Sequence, residues 1–100
     1  MNLATNILTG TNSGLLKTEI MFFIAEAKAT GHDLIKLKAE EKQLDTVSKI
    51  LRSIKKEGTI QLFVFSDSFD DKTTEIEYLQ NKYPDIYEID SDKPFFLIKV

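Results

Sequence analysis

Ile60-Gln61-Leu62-Phe63-Val64-Phe65 is almost continuously apolar. A run without alternation reads as a strand covered on both faces, the pattern found in the middle of a parallel sheet, so this segment is expected at the centre of the fold. Upstream of it, Leu44, Val47, Leu51 and Ile54 recur at helical spacing from 42 to 57, with Lys55 and Lys56 in the last turn and Gly58 as the stop. Before that helix, Leu34, Ile35, Leu37 and Ala39 interleave with Lys36 and Lys38, which predicts a strand buried on one face. Further back, Leu16, Ile20, Phe23, Ile24 and Ala27 predict a helix over about 14–29 that ends at Gly31 and starts behind the capping cluster Thr11-Asn12-Ser13-Gly14. Residues 3 to 9 read as a first strand that stops at Gly10.

Downstream, the polar loop Ser66 to Asp71 leads to a third helix marked by Ile76, Leu79 and Tyr83. That helix must end near Tyr83, because Pro84 disfavours helical backbone in the residue before it. Ile86, Tyr87 and Ile89, a turn at Asp90 to Lys93, and Phe95 to Val100 read as a closing pair of strands. The expected order is βαβαβαββ in one α/β domain spanning 1–100, with a mainly parallel sheet, helices packed on it and a C-terminal strand pair. Phe95-Phe96-Leu97-Ile98 is apolar on both faces, which predicts burial, with an open sheet edge as the alternative.

The charge is uneven along the chain. Residues 1–65 hold nine basic side chains against seven acidic, whereas residues 66–100 hold four against nine, for a total of −3. Such a balance argues against a general polyanion binder while leaving room for one basic face. The absence of cysteine excludes disulfides and thiolate chemistry and fits a reducing compartment. A single histidine, His32, excludes a His-rich metal site and reads as a surface turn residue. With no apolar run of membrane-spanning length and no signal-like start, the chain is expected to be soluble and cytoplasmic.

In an open parallel sheet, ligands bind beyond the carboxyl ends of the strands, where helix N-termini converge. Two loops are expected there, Gly10 to Thr18 and Ser66 to Asp71. A strand ending in Gly10, a turn bearing Ser13 and Gly14, and Lys17-Thr18 opening a helix resemble the phosphate-binding loop of the P-loop NTPases. Leu62 to Asp67 is similar to the strand that carries the metal-associated aspartate in the AAA-type members. The likeness covers roughly residues 5–80 and is to a shortened, degenerate core, because Leu15 and Leu16 stand between Gly14 and Lys17. It implies that Gly10, Ser13 and Gly14 approach a nucleotide, that Lys17 contacts phosphate, that Thr18 ligates Mg²⁺ and that Asp67 holds the metal through water. Read without that likeness, Asp67, Asp70 and Asp71 are a possible cation cluster or, alternatively, acids that favour the N-terminus of the third helix.

The basic part of the chain has a second likeness. From about 5 to 66 its spacing is similar to that of small RNA-binding domains of the CRM type and of the C-terminal domain of a bacterial translation initiation factor. This implies an RNA surface, for which Lys36, Lys38, Lys49 and Arg52 are the candidates. No catalytic constellation stands out in the sequence, and no cofactor is required by it. The leading expectation is a binding or regulatory module that engages a protein partner or a second copy at the carboxyl rim, with Mg-nucleotide binding and RNA binding as alternatives.

Overall fold

The computed structural model describes residues 3–69, 71, 73–86 and 94–100. Strand β1 (Leu3–Ile7) leads to helix α1 (Ser13–Ala29), strand β2 (Leu34–Lys38) and, through a 3-10 turn at Glu41–Gln43, helix α2 (Leu44–Lys56). Strand β3 (Leu62–Phe65), a 3-10 turn at Ser66–Ser68, helix α3 (Thr74–Lys82) and strand β4 (Phe95–Lys99) follow.

Local chemistry sets the helix ends. Asn12 caps α1 by accepting from the Leu15 N–H at 3.0 Å, and Thr73 caps α3 by accepting from that of Ile76 at 3.2 Å. The chain leaves α1 through Gly31 and α2 through Gly58, at φ of 75° and 85°, where a Cβ would be strained.

The sheet order is β1-β2-β4-β3. Strand β1 pairs parallel with β2, while β4 pairs antiparallel with both β2 and β3. Strands β1, β2 and β3 therefore run one way and end on a common rim, and β4 runs back between β2 and β3. This corrects two expectations. The sheet is mixed rather than mainly parallel, and the segment at 60–65 provides an edge strand rather than the central one. The physical reason is that cover on both faces and position within the sheet are separate matters: Phe63 and Phe65 pack towards the α1/α2 side and Val64 towards α3, while the outer backbone edge has no strand beside it among the described residues. The interior place belongs to β4, whose five residues are all buried. The expected first member of a closing strand pair falls mostly on 87–93, outside the described residues. Ile86 itself lies in a short 3-10 turn at 84–86.

Two hydrophobic cores sit on opposite faces of the sheet. On one face, Ile35 and Leu37 of β2 and Phe96 and Ile98 of β4 pack against Ile20 and Ile24 of α1 and Val47, Leu51 and Ile54 of α2. On the other, Leu34, Phe95 and Leu97 meet Ile76 and Leu79 of α3, with Phe69, Tyr83 and Ile86. Each fully buried aliphatic or aromatic side chain of this kind contributes about 1.5–3 kcal/mol. Strand β2 is thus covered on both faces instead of the one that its alternation suggested. Its Lys36 is 6% exposed, with its ammonium 4.9 Å from the centroid of the Phe95 ring, an arrangement that offsets the cost of burying the charge. Among the described residues, no helix is long and apolar enough to cross a membrane.

Candidate functional site

The turn from β1 into α1 lies at the common rim, and its backbone is closely held. The Glu19 carboxylate, one turn and a half into α1, reaches back to accept from the Thr9 N–H at 3.0 Å, the Thr9 hydroxyl at 2.9 Å and the Gly10 N–H. Burial pushes this carboxyl up, but the hydrogen bonds from Thr9 and Gly10 outweigh it and hold Glu19 below the usual carboxylate range. Gly10 is buried, and its carbonyl accepts from Gln43 Nε2 at 3.0 Å, while Gln43 Oε1 accepts from the Glu40 N–H at 2.8 Å. A Cβ on Gly10 would stand 2.6 Å from Glu19 Oε1 and 2.9 Å from the Leu16 nitrogen. Gly10 is thus required by the packing of the turn against the first turn of α1.

This geometry bears on the phosphate-loop likeness. A phosphate loop works by aiming consecutive backbone N–H groups at the ligand. Here the Thr9 and Gly10 donors are directed at the chain's own Glu19, which takes the place an external anion would hold. Thr18 also faces its own helix, its hydroxyl donating to the Gly14 carbonyl at 3.0 Å.

Lys17 stands differently. With Ser13 it lines a cleft of about 450 Å³ between α1 and α2, whose other wall is Thr46, Lys49, Ile50 and Ser53. A smaller hollow of about 190 Å³ shares Ser13 and Thr46 with it and runs under the start of α1, where Gly10, Thr11, Asn12, Lys42 and Gln43 contribute. Among the described residues, neither space is lined by a carboxylate. Lys42 is paired with Glu40 at 3.3 Å, whereas Lys17 and Lys49 have no ion-pair partner among the described residues. The first turn of α1 carries no acid of its own, and the anion nearest its N-terminus is the Glu19 carboxylate folded back onto the Thr9 and Gly10 amides. Two ammonium-bearing side chains and three hydroxyl-bearing ones therefore border one open space.

The other sequence candidates are dispersed. Asp67 lies in the 3-10 turn after β3, at the far edge of the sheet; three strand spacings from β1 amount to about 14 Å. Asp71 is exposed beyond it, its N–H donating to the Ser68 carbonyl at 2.9 Å, and Asp70 lies outside the described residues. Among the described residues, no group of three His, Cys, Asp or Glu side chains is placed to hold a metal ion. Of the four nucleic-acid candidates, Lys36 faces the α3 core, and Lys38, two residues on, shares that side of β2. Lys49 and Arg52 lie on α2, which packs on the opposite face, and the Arg52 guanidinium donates to the Ser48 hydroxyl at 3.0 Å. The sheet thus divides the quartet into two pairs.

Glu19, Gln43, Thr46 and Ser53 were not singled out from the sequence. The only legible signal was at Gln43, three residues after Glu40 ahead of an apolar helix, the spacing of a capping box without its usual first residue. No protein-family model, curated protein or solved structure matches the chain.

Proposed function

We propose that this chain is a binding module for a small phosphate-bearing ligand, held in the cleft between α1 and α2. The carrying observation is that Lys17 and Lys49 border one cleft with Ser13, Thr46 and Ser53, with no carboxylate among the described residues that line it. Two ammonium groups that share a space repel each other by on the order of 1 kcal/mol near a protein surface, and an anion between them reverses the sign. Lysine ammoniums and hydroxyls are suitable donors to phosphate oxygens, and the volume is in the usual range for a small-molecule site. This reading keeps Lys17 from the phosphate-loop likeness and Lys49 from the RNA likeness, but uses them together. It does not route the ligand through the Thr9 and Gly10 amides, and it needs no contribution from Asp67.

The test is calorimetric titration at low ionic strength with inorganic phosphate, pyrophosphate and a nucleoside monophosphate. Binding is expected to weaken about tenfold in Lys17→Ala and again in Lys49→Ala, the value of a charge-assisted hydrogen bond. Absence of binding at millimolar ligand, or equal binding by the double variant, overturns the proposal. So does tight binding of single-stranded RNA that free pyrophosphate does not compete away, which would move the function to nucleic acid.

A second reading, engagement of another polypeptide, is favoured by a separate observation. Both outer strands, β1 and β3, present a backbone edge with no strand beside it among the described residues, and Ile7, Leu15 and Phe22 are exposed, at 63%, 51% and 59%.

A further inference from the structure

Among the described residues the sheet has two open edges, β1 and β3, and neither strand carries a charge, a proline or a bulge. Natural edge strands carry lysine, proline or a bulge that discourages pairing with another chain. Strand β3, Leu62-Phe63-Val64-Phe65, differs from β1 in its aromatic side chains, of which Phe63 and Phe65 are only half-buried. Its two ends, however, carry opposite net charge. At its start stand Lys55 and Lys56, exposed in the last turn of α2, with Lys28, whose ammonium donates to the Thr59 carbonyl at 3.1 Å; against these three lysines stands one exposed acid, Glu57. At its end stand Asp67 and Asp71, both exposed, with Asp45 in the first turn of α2 on the same rim.

We propose that β3 pairs antiparallel with β3 of a second copy of this chain, joining two four-stranded sheets into one. The charge pattern selects this occupant and this direction. A two-fold axis normal to the sheet brings the lysine end of each β3 against the aspartate end of the other, so both rims are complementary at once. Parallel pairing would set lysines on lysines and aspartates on aspartates, which electrostatics disfavours. The outer row of N–H and C=O groups, which has no strand beside it among the described residues, then finds partners, and Phe63 and Phe65 lose their remaining exposure. The proposal rests on the polypeptide-engagement reading and is independent of the α1–α2 cleft.

The experiment is sedimentation equilibrium of the intact chain over a concentration series, with amide exchange followed residue by residue. A monomer–dimer equilibrium is expected, with slowed exchange at 62–65 as the dimer forms. The exposed double variant Lys55→Glu/Lys56→Glu should weaken association roughly tenfold or more, Asp67→Lys/Asp71→Lys should do the same, and the two together should restore it. Circular dichroism confirms that each variant is folded. A chain that stays monomeric up to about 1 mM overturns self-pairing, yet leaves strand addition by a different polypeptide standing. A dimer that ignores both charge reversals, or one that protects β1 instead of β3, overturns the assignment of the interface.

Discussion

Two turns leave parallel strands at the same rim and are built in different ways. The turn after β1 is fastened by charge: the Glu19 carboxylate gathers the Thr9 and Gly10 amides, and Gln43 ties the Gly10 carbonyl to the start of α2. The turn after β3 is fastened by burial. Ser66 is fully buried, its hydroxyl accepts from the Phe95 N–H at 3.1 Å, and Phe69 packs edge-on against Phe95 with ring centroids 5.6 Å apart. The acids of that second turn, Asp67 and Asp71, point to solvent. A glycine ahead of Lys-Thr is thus compatible with a turn that holds its own anion, and an aspartate-bearing turn with one that keeps its acids free for other contacts.

Gly10→Ala tests this difference most severely. The added methyl meets the Leu16 backbone as well as the Glu19 carboxylate, and backbone cannot yield as a side chain can. A loss of about 2–4 kcal/mol is expected from denaturant unfolding. An effect below about 0.5 kcal/mol would mean that Glu19 does not hold the turn in solution. Ser66→Ala is the counterpart in the second turn and leaves the Phe95 N–H buried without an acceptor. It should cost about 1–3 kcal/mol, by an amount that does not change with pH.

Glu19→Gln separates the two turns by their pH response. Replacing one acceptor oxygen with a donor should cost about 1–2 kcal/mol at neutral pH. Because the folded carboxyl is held below its unfolded value, its contribution is fully present above the unfolded value and is lost as pH falls through the lower, folded one. The stability difference between wild type and Glu19→Gln should therefore shrink on acidification below about pH 4.3, while that of Ser66→Ala stays constant. Parallel pH profiles for all three chains would remove the charge from the account of the first turn.

The helices were legible because their apolar spacing, caps and glycine stops are written over consecutive residues. Neighbour relations in the sheet were not. The unbroken apolar run at 62–65 correctly reports helices on both sides, since α2 and α3 each take alternate residues, but it carries no information about which strands lie beside it. Lys36 shows the same limit. Alternation placed it on a solvated face, and what buries it is Phe95, far along the chain in a strand that inserts beside it. At the candidate site, Lys17 and Lys49 were each noticed for separate reasons. That they border one cleft depends on how α1 and α2 pack, and Thr46 and Ser53 become relevant only then. Glu19 was passed over because its partners lie back across the turn, beyond the range of a helix-spacing pattern.

The placement of β4 between β2 and β3 has a consequence for biosynthesis. The strand that gives β3 its neighbour follows it by about 30 residues. At ribosomal rates on the order of 5–20 residues per second, the nascent Leu62 to Phe65 waits seconds for that neighbour. In that interval an uncharged, aromatic-rich strand has both backbone flanks vacant. The gap defines the period in which a chaperone could act most usefully on the emerging polypeptide, and in which two nascent chains on one messenger could capture each other before either had closed its sheet.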